Sequence, residues 1–323
     1  MRMKTNGAES QAGGGKRPDD ATTAFRGEDS VAARAQGNRH PLRSRMLTAL
    51  SVVLCLAGAV ALLYPAAANW LASRNHAEVI QSYDDAADRM TQEQIDAEWQ
   101  RAVEYNESLI GQPVHDPFVP GSGYAIPDDY DDVLNIDGDG VIGSLTIPKI
   151  GLDLPIYHGV SDESLTRGVG HIPSTTLPIG GPSTHSVLTG HRGLPSAELF
   201  TRLDELHPGD VFVIDVLGRK LAYRVYGIDT VLPNELDSLA VQQGRDLVTL
   251  VTCTPYGVNT HRLLVHAERT DYDPSMNNSV EQGFRPSTDM MMRLAGAALG
   301  LALLAVALGA AKGVKKVLSR IRG

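Results

Sequence analysis

An uncharged apolar run near the amino-terminal end of this chain limits the folds it can adopt. Residues Met46–Tyr64 carry no charged side chain, and Trp70 lies at the far edge of the apolar stretch. A helix needs about 20 such residues to cross the hydrocarbon core of a bilayer. We therefore predict a transmembrane helix over residues 46–71. A cleaved signal peptide is the alternative, because Ala66–Ala67–Ala68 fits a small-residue cleavage site, but the run is longer than an ordinary signal core.

A second uncharged apolar run, Leu294–Ala311, is followed by five Lys and Arg residues. Arginines also precede the first run, in a segment of residues 1–45 without hydrophobic periodicity that we predict to be disordered. Because basic flanks mark the cytoplasmic side of a membrane, we expect a second transmembrane helix over residues 294–311. Both ends of the chain, including the basic tail of residues 312–323, are then cytoplasmic. A buried core helix is the alternative for this shorter run.

Charge is unevenly distributed along the chain. The net charge is +4 over residues 1–71, −18 over residues 72–288 and +5 over residues 289–323. We therefore expect an acidic domain outside the cytoplasm, tethered to the membrane at both ends. An acidic domain repels phosphate backbones, which argues against nucleic acid as a partner.

The central part divides by its local patterns. Residues 72–109 have the apolar spacing of one or two amphipathic helices, residues 110–140 form a loop rich in proline and glycine, and residues 271–293 form a linker. Residues 141–270 are predicted to be mainly β, a barrel or a sandwich, because short apolar runs alternate with Gly- and Pro-rich turns. The predicted strands are Ile142–Ile147, Leu154–Tyr157, Ser186–Thr189, Val211–Val216, Lys220–Ile228, Leu247–Thr252 and Leu263–Ala267, and a short helix is predicted at Ser196–Leu203.

One motif partly matches a metal-binding loop. The sequence NIDGDG at Asn135–Gly140 fits the opening positions of an EF-hand calcium loop, but the twelfth position is Thr146, where a bidentate glutamate is needed. We interpret this segment as a turn into the next strand. We expect neither a metal nor a cofactor.

The segment Asp246–Glu268 predicts a β-hairpin. Two apolar strands flank a turn-rich loop, Thr254–His261, which contains proline, glycine and asparagine. Cys253 ends the first strand and Arg262 opens the second. The hairpin therefore brings a thiol and a guanidinium to the same end of a sheet.

Cys253 is a candidate nucleophile. The other cysteine, Cys55, lies inside the first apolar run, so Cys253 has no partner for a disulfide within the chain. An unpaired thiol in an oxidising compartment is a liability unless it is buried or used. A buried core thiol is the alternative, but a strand end beside a Pro/Gly loop favours an exposed, reactive side chain.

A cysteine nucleophile needs a base and a group that stabilises the oxyanion. Residues 72–288 contain nine histidines, and His191 follows a strand and a glycine turn, the same setting as Cys253. His261 is nearer to Cys253 in sequence but belongs to the predicted loop. Arg262, permanently cationic, is the candidate for the oxyanion; a surface arginine is its alternative.

Three segments resemble the sortases, membrane-bound cysteine transpeptidases of Gram-positive bacteria. They are TLVTCTPYGVNTHRLLV (249–265), TGH (189–191) and IGSLTIPKIGLDLPIYHG (142–159). The resemblance implies an eight-stranded sortase-type β-barrel with N-terminal helices. It also implies that Cys253 is the nucleophile, His191 the general acid/base and Arg262 the stabiliser of substrate and oxyanion.

Within that family the chain resembles the class C, pilin-polymerising sortases. The second apolar run, the loop wording TPYGVNTHRL and Asp116–Pro117–Phe118 carry this resemblance. The last would be a lid motif, with Asp116 near Arg262 and Phe118 over Cys253. Many members have Trp where this chain has Phe118, and a plain linker is the interpretation from composition alone.

The resemblance implies a reaction. Cys253 would cleave an LPXTG-like sorting signal between Thr and Gly through a thioacyl-enzyme, and a pilin lysine amine would accept the acyl group. A wall-anchoring sortase that uses a peptidoglycan amine is one alternative. A membrane-tethered scaffold that binds surface proteins without catalysis is another.

Overall fold

The structure, a computed structural model, describes residues 41–109, 129–277, 294–298, 300 and 301. The chain divides into two compact units, Met1–Ser51 and Val52–Gly323, and all the strands described here belong to the second. The elements in chain order are α1 (Pro41–Asp88), α2 (Gln92–Ser108), β1 (Val141–Ile147), β2 (Leu152–His158), α3 (Asp162–Arg167), β3 (Val169–His171), β4 (Thr184–Thr189), β5 (Val211–Val216), β6 (Arg219–Val231), β7 (Asp246–Thr254) and β8 (His261–Thr270).

The eight strands close into a barrel in the order β1-β2-β3-β4-β7-β8-β6-β5, and β5 returns to β1. The pairs β2–β3 and β4–β7 are parallel, whereas the other neighbours are antiparallel. Because side chains alternate across a strand, one face of each strand contributes to a large interior cluster that includes Leu145, Ile156, Val248 and Val265. The mainly β, eight-stranded barrel that we expected is confirmed.

The strand predictions differ from the structure mainly at the ends and at β3. All seven predicted strands form, several of them extended by a few residues. β3 was missed because it is only three residues long, includes Gly170 and His171, and so has no apolar run to mark it. The turn predicted at Asn135–Gly140 forms, with Asn135 Oδ1 accepting a hydrogen bond from the Gly140 amide at 2.9 Å just before β1.

The short helix predicted at Ser196–Leu203 is wrong in its bounds and its type. The structure instead has a 3₁₀ segment at Leu199–Glu205 that is interrupted by non-helical backbone at Phe200 and Arg202. The Phe200 amide donates to the carbonyl oxygen of His191 at 3.0 Å. This tertiary hydrogen bond takes the amide away from regular helical pairing.

The first apolar run lies within α1, which also includes residues of the following helical region. The part Ala49–Asp88 is long and apolar enough to cross a membrane, with a mean hydropathy of 2.2 over its most apolar window. Of the second run, residues 294–298, 300 and 301 are helical and the remainder lies outside the described residues. The described part of the chain thus contains one candidate membrane helix.

Helix α1 packs on the barrel beyond the apolar run. Tyr83 is buried, and its hydroxyl donates to the carbonyl oxygen of Ile142 on β1 at 3.1 Å. Thr91 then begins α2 with a capping box, in which Thr91 and Gln94 each accept from the other's backbone amide. The one or two helices predicted between residues 72 and 109 correspond to the end of α1 and to α2.

Helix α2 is joined to the barrel by a buried asparagine. Asn106 Nδ2 donates to the carbonyl oxygen of Leu177 at 3.2 Å, and Asn106 Oδ1 accepts from the Leu177 amide at 2.6 Å. Leu177 is fully buried in the connection between β3 and β4, and its carbonyl also accepts from the Ile179 amide. One side chain thus bonds both backbone groups of a residue that lies outside the strands.

We predict that Asn106→Ala destabilises the fold by about 2 kcal/mol, because it leaves the buried Leu177 amide without its acceptor and removes one donor to the Leu177 carbonyl. Urea unfolding of the detergent-solubilised full chain measures this free energy. The control is Gln100→Ala, also on α2, whose side chain bonds to the exposed Glu104. Equal stability of the two variants would contradict the role of Asn106.

Candidate active site

Cys253 and Arg262 face each other across the β7–β8 hairpin. They are register partners one step before the end of the paired strands. Directly paired residues of antiparallel strands project from the same face, with Cβ atoms about 4.5–5.5 Å apart. The thiol and the guanidinium therefore lie side by side, as the hairpin pattern predicted. His261, expected in the loop, is instead the first residue of β8 and pairs with Thr254.

The hairpin loop itself holds the Arg262 side chain. Arg262 is only 5% exposed, and its Nη1 lies 3.4 Å from the carbonyl oxygen of Asn259 and 3.3 Å from that of His261. Cys253 is half-buried. A cation fixed in this way keeps its position when charge develops nearby, which is the requirement for oxyanion stabilisation.

His191 comes to the same end of the barrel through β4. This strand runs parallel to β7, with Thr189 in register with Val251, so both strands end at one edge. Two hydrogen bonds continue the contact between these strands beyond the last register pair. The Gly190 amide donates to the Val251 carbonyl at 3.1 Å, and Thr252 Oγ1 donates to the Gly190 carbonyl at 2.7 Å. The three candidate residues therefore stand at the ends of three adjacent strands.

A small apolar cluster lies along the face that carries Cys253. Val251 shares a face with Cys253 on β7, as Leu264 does with Arg262 on β8, because side chains two residues apart project from the same side. Both are buried in a cluster separate from the barrel interior, together with Ile172, Val187 and Leu239. This cluster supports the strand ends that present the candidate residues.

Arg192 joins the segment after β4 to the end of β7. Its Nη1 donates to Thr254 Oγ1 at 3.2 Å, its Nη2 pairs with Asp204, and its side chain is 9% exposed. Sequence reasoning missed this residue. The one available signal was its position, since a guanidinium directly follows the candidate base.

Gly193 also contacts the hairpin loop. A Cβ atom at Gly193 would lie 2.9 Å from Cε2 of Tyr256, and the glycine has a φ of +84°. Both the close approach and the left-handed backbone require glycine here. The segment that follows His191 thus contacts the end of β7 through Arg192 and the loop after β7 through Gly193.

Four other histidines, on strands β2, β3, β4 and β8, are buried in polar contacts of the barrel wall: His158, His171, His185 and His266. His171 donates from Nε2 to the Thr176 carbonyl and meets the Tyr130 hydroxyl at Nδ1, and burial lowers its pKa to about 3. His185 and His266 both contact Thr249 Oγ1, at 2.7 and 2.8 Å. These rings satisfy buried polar groups, which is a structural use of histidine.

Burial lowers the pKa of His191 below its ordinary value, and the nearby carboxylate of Asp162 acts in the opposite direction. Asp162 is the first residue of α3. The imidazole is therefore mainly neutral at neutral pH. A neutral ring can accept a proton from an incoming amine, and its minor protonated form can give one to a leaving group.

Comparison with known proteins assigns the family. A model described as "Sortase domain" matches residues 145–270. Sortase A of Streptococcus agalactiae serotype III (strain NEM316) is 29% identical over 131 residues, which cover 40% of this chain and 52% of that protein. Sortase D of Bacillus subtilis (strain 168) is 28% identical over 130 residues, covering 39% and 63%. The chain thus spans between half and two thirds of these curated relatives.

Solved structures match over more of their length. Sortase C1 of GBS Pilus Island 1 is 43% identical with a TM-score of 0.56, and the match covers 62% of this chain and 94% of that one. Sortase C-1 from Actinomyces oris is 49% identical with a TM-score of 0.52, covering 55% and 99%. Sortase C of Streptococcus pneumoniae is 39% identical with a TM-score of 0.56, covering 60% and 97%.

The chain belongs to the sortase family, whose known members are cysteine transpeptidases. Within that family, its solved structural neighbours are class C pilus sortases. The family and the class that the sequence motifs suggested are thereby confirmed. The predicted lid residues Asp116, Pro117 and Phe118 lie outside the described part of the chain.

We predict that His191 titrates below the ordinary histidine pKa of about 6.5. Asp162→Asn should lower the midpoint further, because it removes the carboxylate that favours the imidazolium. NMR of ring-labelled histidine against pH measures both midpoints, with His191→Gln to assign the signal. Asp96→Asn on α2 is the control. A midpoint at or above the ordinary value, or one that rises in Asp162→Asn, would contradict this view of the site.

We predict that Arg192→Gln slows peptide cleavage by about 100-fold, because a displacement of about 1 Å between reacting groups has an effect of that size. The substitution removes the contacts to Thr254 and Asp204 together. Single-turnover kinetics with a sorting peptide measures the rate. Arg224→Gln on β6 is the control, since Arg224 donates to the Gly209 carbonyl just before β5. Equal rates for the two variants would show that Arg192 does not position the site.

Proposed function

We propose that the chain is a membrane-anchored transpeptidase that polymerises pilins. It cleaves an LPXTG-like sorting signal between Thr and Gly and transfers the new carboxyl end to a lysine amine of a pilin. The observation that supports this most strongly is the pairing of Cys253 with Arg262 at the end of β7 and β8, beside the end of the strand that leads to His191. The 39–49% identity to solved sortase C proteins supports the pilus class.

The first stage forms a thioester. The Cys253 thiolate attacks the carbonyl carbon of the substrate threonine, and the Arg262 guanidinium stabilises the oxyanion of the tetrahedral intermediate. His191, in its protonated form, gives a proton to the nitrogen of the departing glycine as the peptide bond breaks. The acyl group then remains on Cys253 and the glycine side leaves with a free amine.

The second stage transfers the acyl group to an amine. A lysine ε-amine attacks the thioester carbonyl, neutral His191 accepts the amine proton, and the Cys253 thiolate leaves. The low pKa of His191 suits this stage, because the neutral ring predominates at neutral pH. The product is an isopeptide bond, and the enzyme is ready for another sorting signal.

The membrane arrangement belongs to the same proposal. The candidate membrane helix of α1 anchors the barrel, a second helix over residues 294–311 returns the chain to the cytoplasm, and the catalytic domain lies outside. Asp116, Pro117 and Phe118 serve as a lid over the site, as in the class C resemblance. A pilin lysine is favoured over a wall amine because solved neighbours are named for pilus sortases.

The experiment uses the full chain in lipid nanodiscs with a fluorogenic sorting peptide. Cys253→Ala should lower cleavage by about 1,000-fold or more, because it removes the group that bonds to the substrate. Mass spectrometry should detect an acyl adduct on the wild type and none on the variant. Cys55→Ala, which removes the cysteine of the apolar run, is the matched control and should keep full activity. If the wild type, Cys55→Ala and Cys253→Ala all cleaved the peptide no faster than it breaks without protein, the non-catalytic scaffold would remain as the function.

The acceptor is identified in the same preparation. A pilin domain with its lysine and a wall-precursor amine are supplied separately, and the ligated products are measured. We expect isopeptide-linked pilin. Ligation to the wall amine alone would overturn the pilin assignment and leave the transpeptidase chemistry intact.

A further inference from the structure

Helix α1 contacts the segment that carries His191, here called the His191 segment and defined as residues 190–205. Asn69 lies two residues before the end of the predicted membrane span and is half-buried. Its Nδ2 donates to Glu198 Oε2 at 3.1 Å, and its Oδ1 accepts from the Glu198 backbone amide at 2.8 Å. One side chain of the membrane helix thus fixes both the backbone and the side chain of Glu198.

The hydrogen bonds continue from Glu198 to His191. The Phe200 amide, two residues further on, donates to the His191 carbonyl at 3.0 Å. Phe200 is fully buried, and its ring lies so close to Gly190 that a Cβ atom there would be 2.9 Å from Cδ2. The Gly193 amide donates to Thr201 Oγ1 at 3.0 Å. Residues 198–201 therefore hold the backbone on both sides of His191.

The contact with Asn69 stabilises the ionised form of the Glu198 carboxyl. Burial raises the pKa of its carboxyl, and Arg202 and the hydrogen bond from Asn69 oppose that change. Arg202 is 3.7 Å away and also pairs with Glu205, so it serves two carboxylates. The amide of Asn69 is the neutral donor that keeps a half-buried carboxylate in one position.

We propose that Asn69 is a positioning residue for His191, so that the end of the membrane helix is part of the active-site scaffold as well as an anchor. Asn69 does not touch the reacting atoms. It acts by fixing Glu198, which fixes the turn at Phe200, which fixes the backbone of His191. The inference rests on the proposed function for the role of His191. The hydrogen bonds between Asn69 and Glu198 are observed whatever that role is.

The test is a polarity exchange in the full chain, reconstituted in lipid nanodiscs. Asn69→Asp replaces the donor amide with a carboxylate facing Glu198, so the side-chain contact becomes repulsive. Adding Glu198→Gln restores the contact with its polarity reversed, because the introduced glutamine amide donates to the new carboxylate. The control is Asn75→Asp, the same change at an exposed position further along α1.

We expect Asn69→Asp to lower kcat for peptide cleavage by about 10–100-fold with little change in KM, because the base is misplaced while the peptide site is intact. The double variant should recover to within about threefold of the wild type, since the restored contact repositions the same base. Asn75→Asp should match the wild type. An unrescued double variant, or equal rates for the two single variants, would overturn the proposal.

Amide hydrogen exchange separates this inference from the proposed function. The backbone amides of Gly193 and Phe200 should exchange faster in Asn69→Asp than in Asn75→Asp. In the double variant they should exchange slowly again. Both results are expected whether or not the peptide is a substrate. Inactive wild-type protein with this exchange pattern would reject the proposed function alone. Unchanged exchange in Asn69→Asp would reject the positioning role. If Asn69→Asp does not fold, Asn69→Ala gives the same comparison without the repulsion.

Discussion

Parallel pairing between β4 and β7 is the constraint on which the candidate site depends. The six register pairs from Thr184–Asp246 to Thr189–Val251 fix the end of one strand against the end of the other. A slip of one residue would turn His191 and Cys253 relative to each other, because side chains alternate across a strand. The site is therefore specified by backbone hydrogen bonds in the barrel wall, and the side chains at its edge depend on them.

Additional contacts tighten this edge. Thr252 and Arg192 bridge the two strand ends through side-chain hydrogen bonds, and Gly193 lets the ring of Tyr256 approach. Each of these contacts joins the segment after β4 to the end of β7 or to the loop that follows it. Under the proposed function, Cys253 and His191 must keep the same separation through two chemical stages. The hydrogen bonds across the edge and the apolar cluster beside it are contacts that fix such a separation.

Features encoded by residues close together in the sequence could be predicted, whereas contacts between distant segments could not. The hairpin of Cys253 and Arg262 was predictable because strand and turn residues lie within one short segment. The strand that ends just before His191 was predictable from its apolar residues and the glycine that follows. The pairing of this strand with β7 was not predictable, because no local pattern identifies a strand so far away in the sequence. Only the family resemblance linked His191 to Cys253. β3 had too few residues for a pattern. Arg192 could be noticed only because it directly follows His191, and Asn69 has no sequence signal because its partner, Glu198, is 129 residues away.

Helix α1 has a consequence for how such a protein meets its substrates. From Val52 onward it continues without a break to Tyr83, whose hydroxyl is bonded to β1. Helical rise is about 1.5 Å per residue, so Asn69 is only about 3 Å from the end of the predicted span. Contacts of Asn69 and Tyr83 join this helix to the barrel at two points. Under the proposed function, with the predicted span in a bilayer, the helix holds the edge that carries Cys253 at a fixed distance from the lipid surface. A sorting signal is then cleaved only at that distance, so enzyme and substrate meet by diffusion in two dimensions.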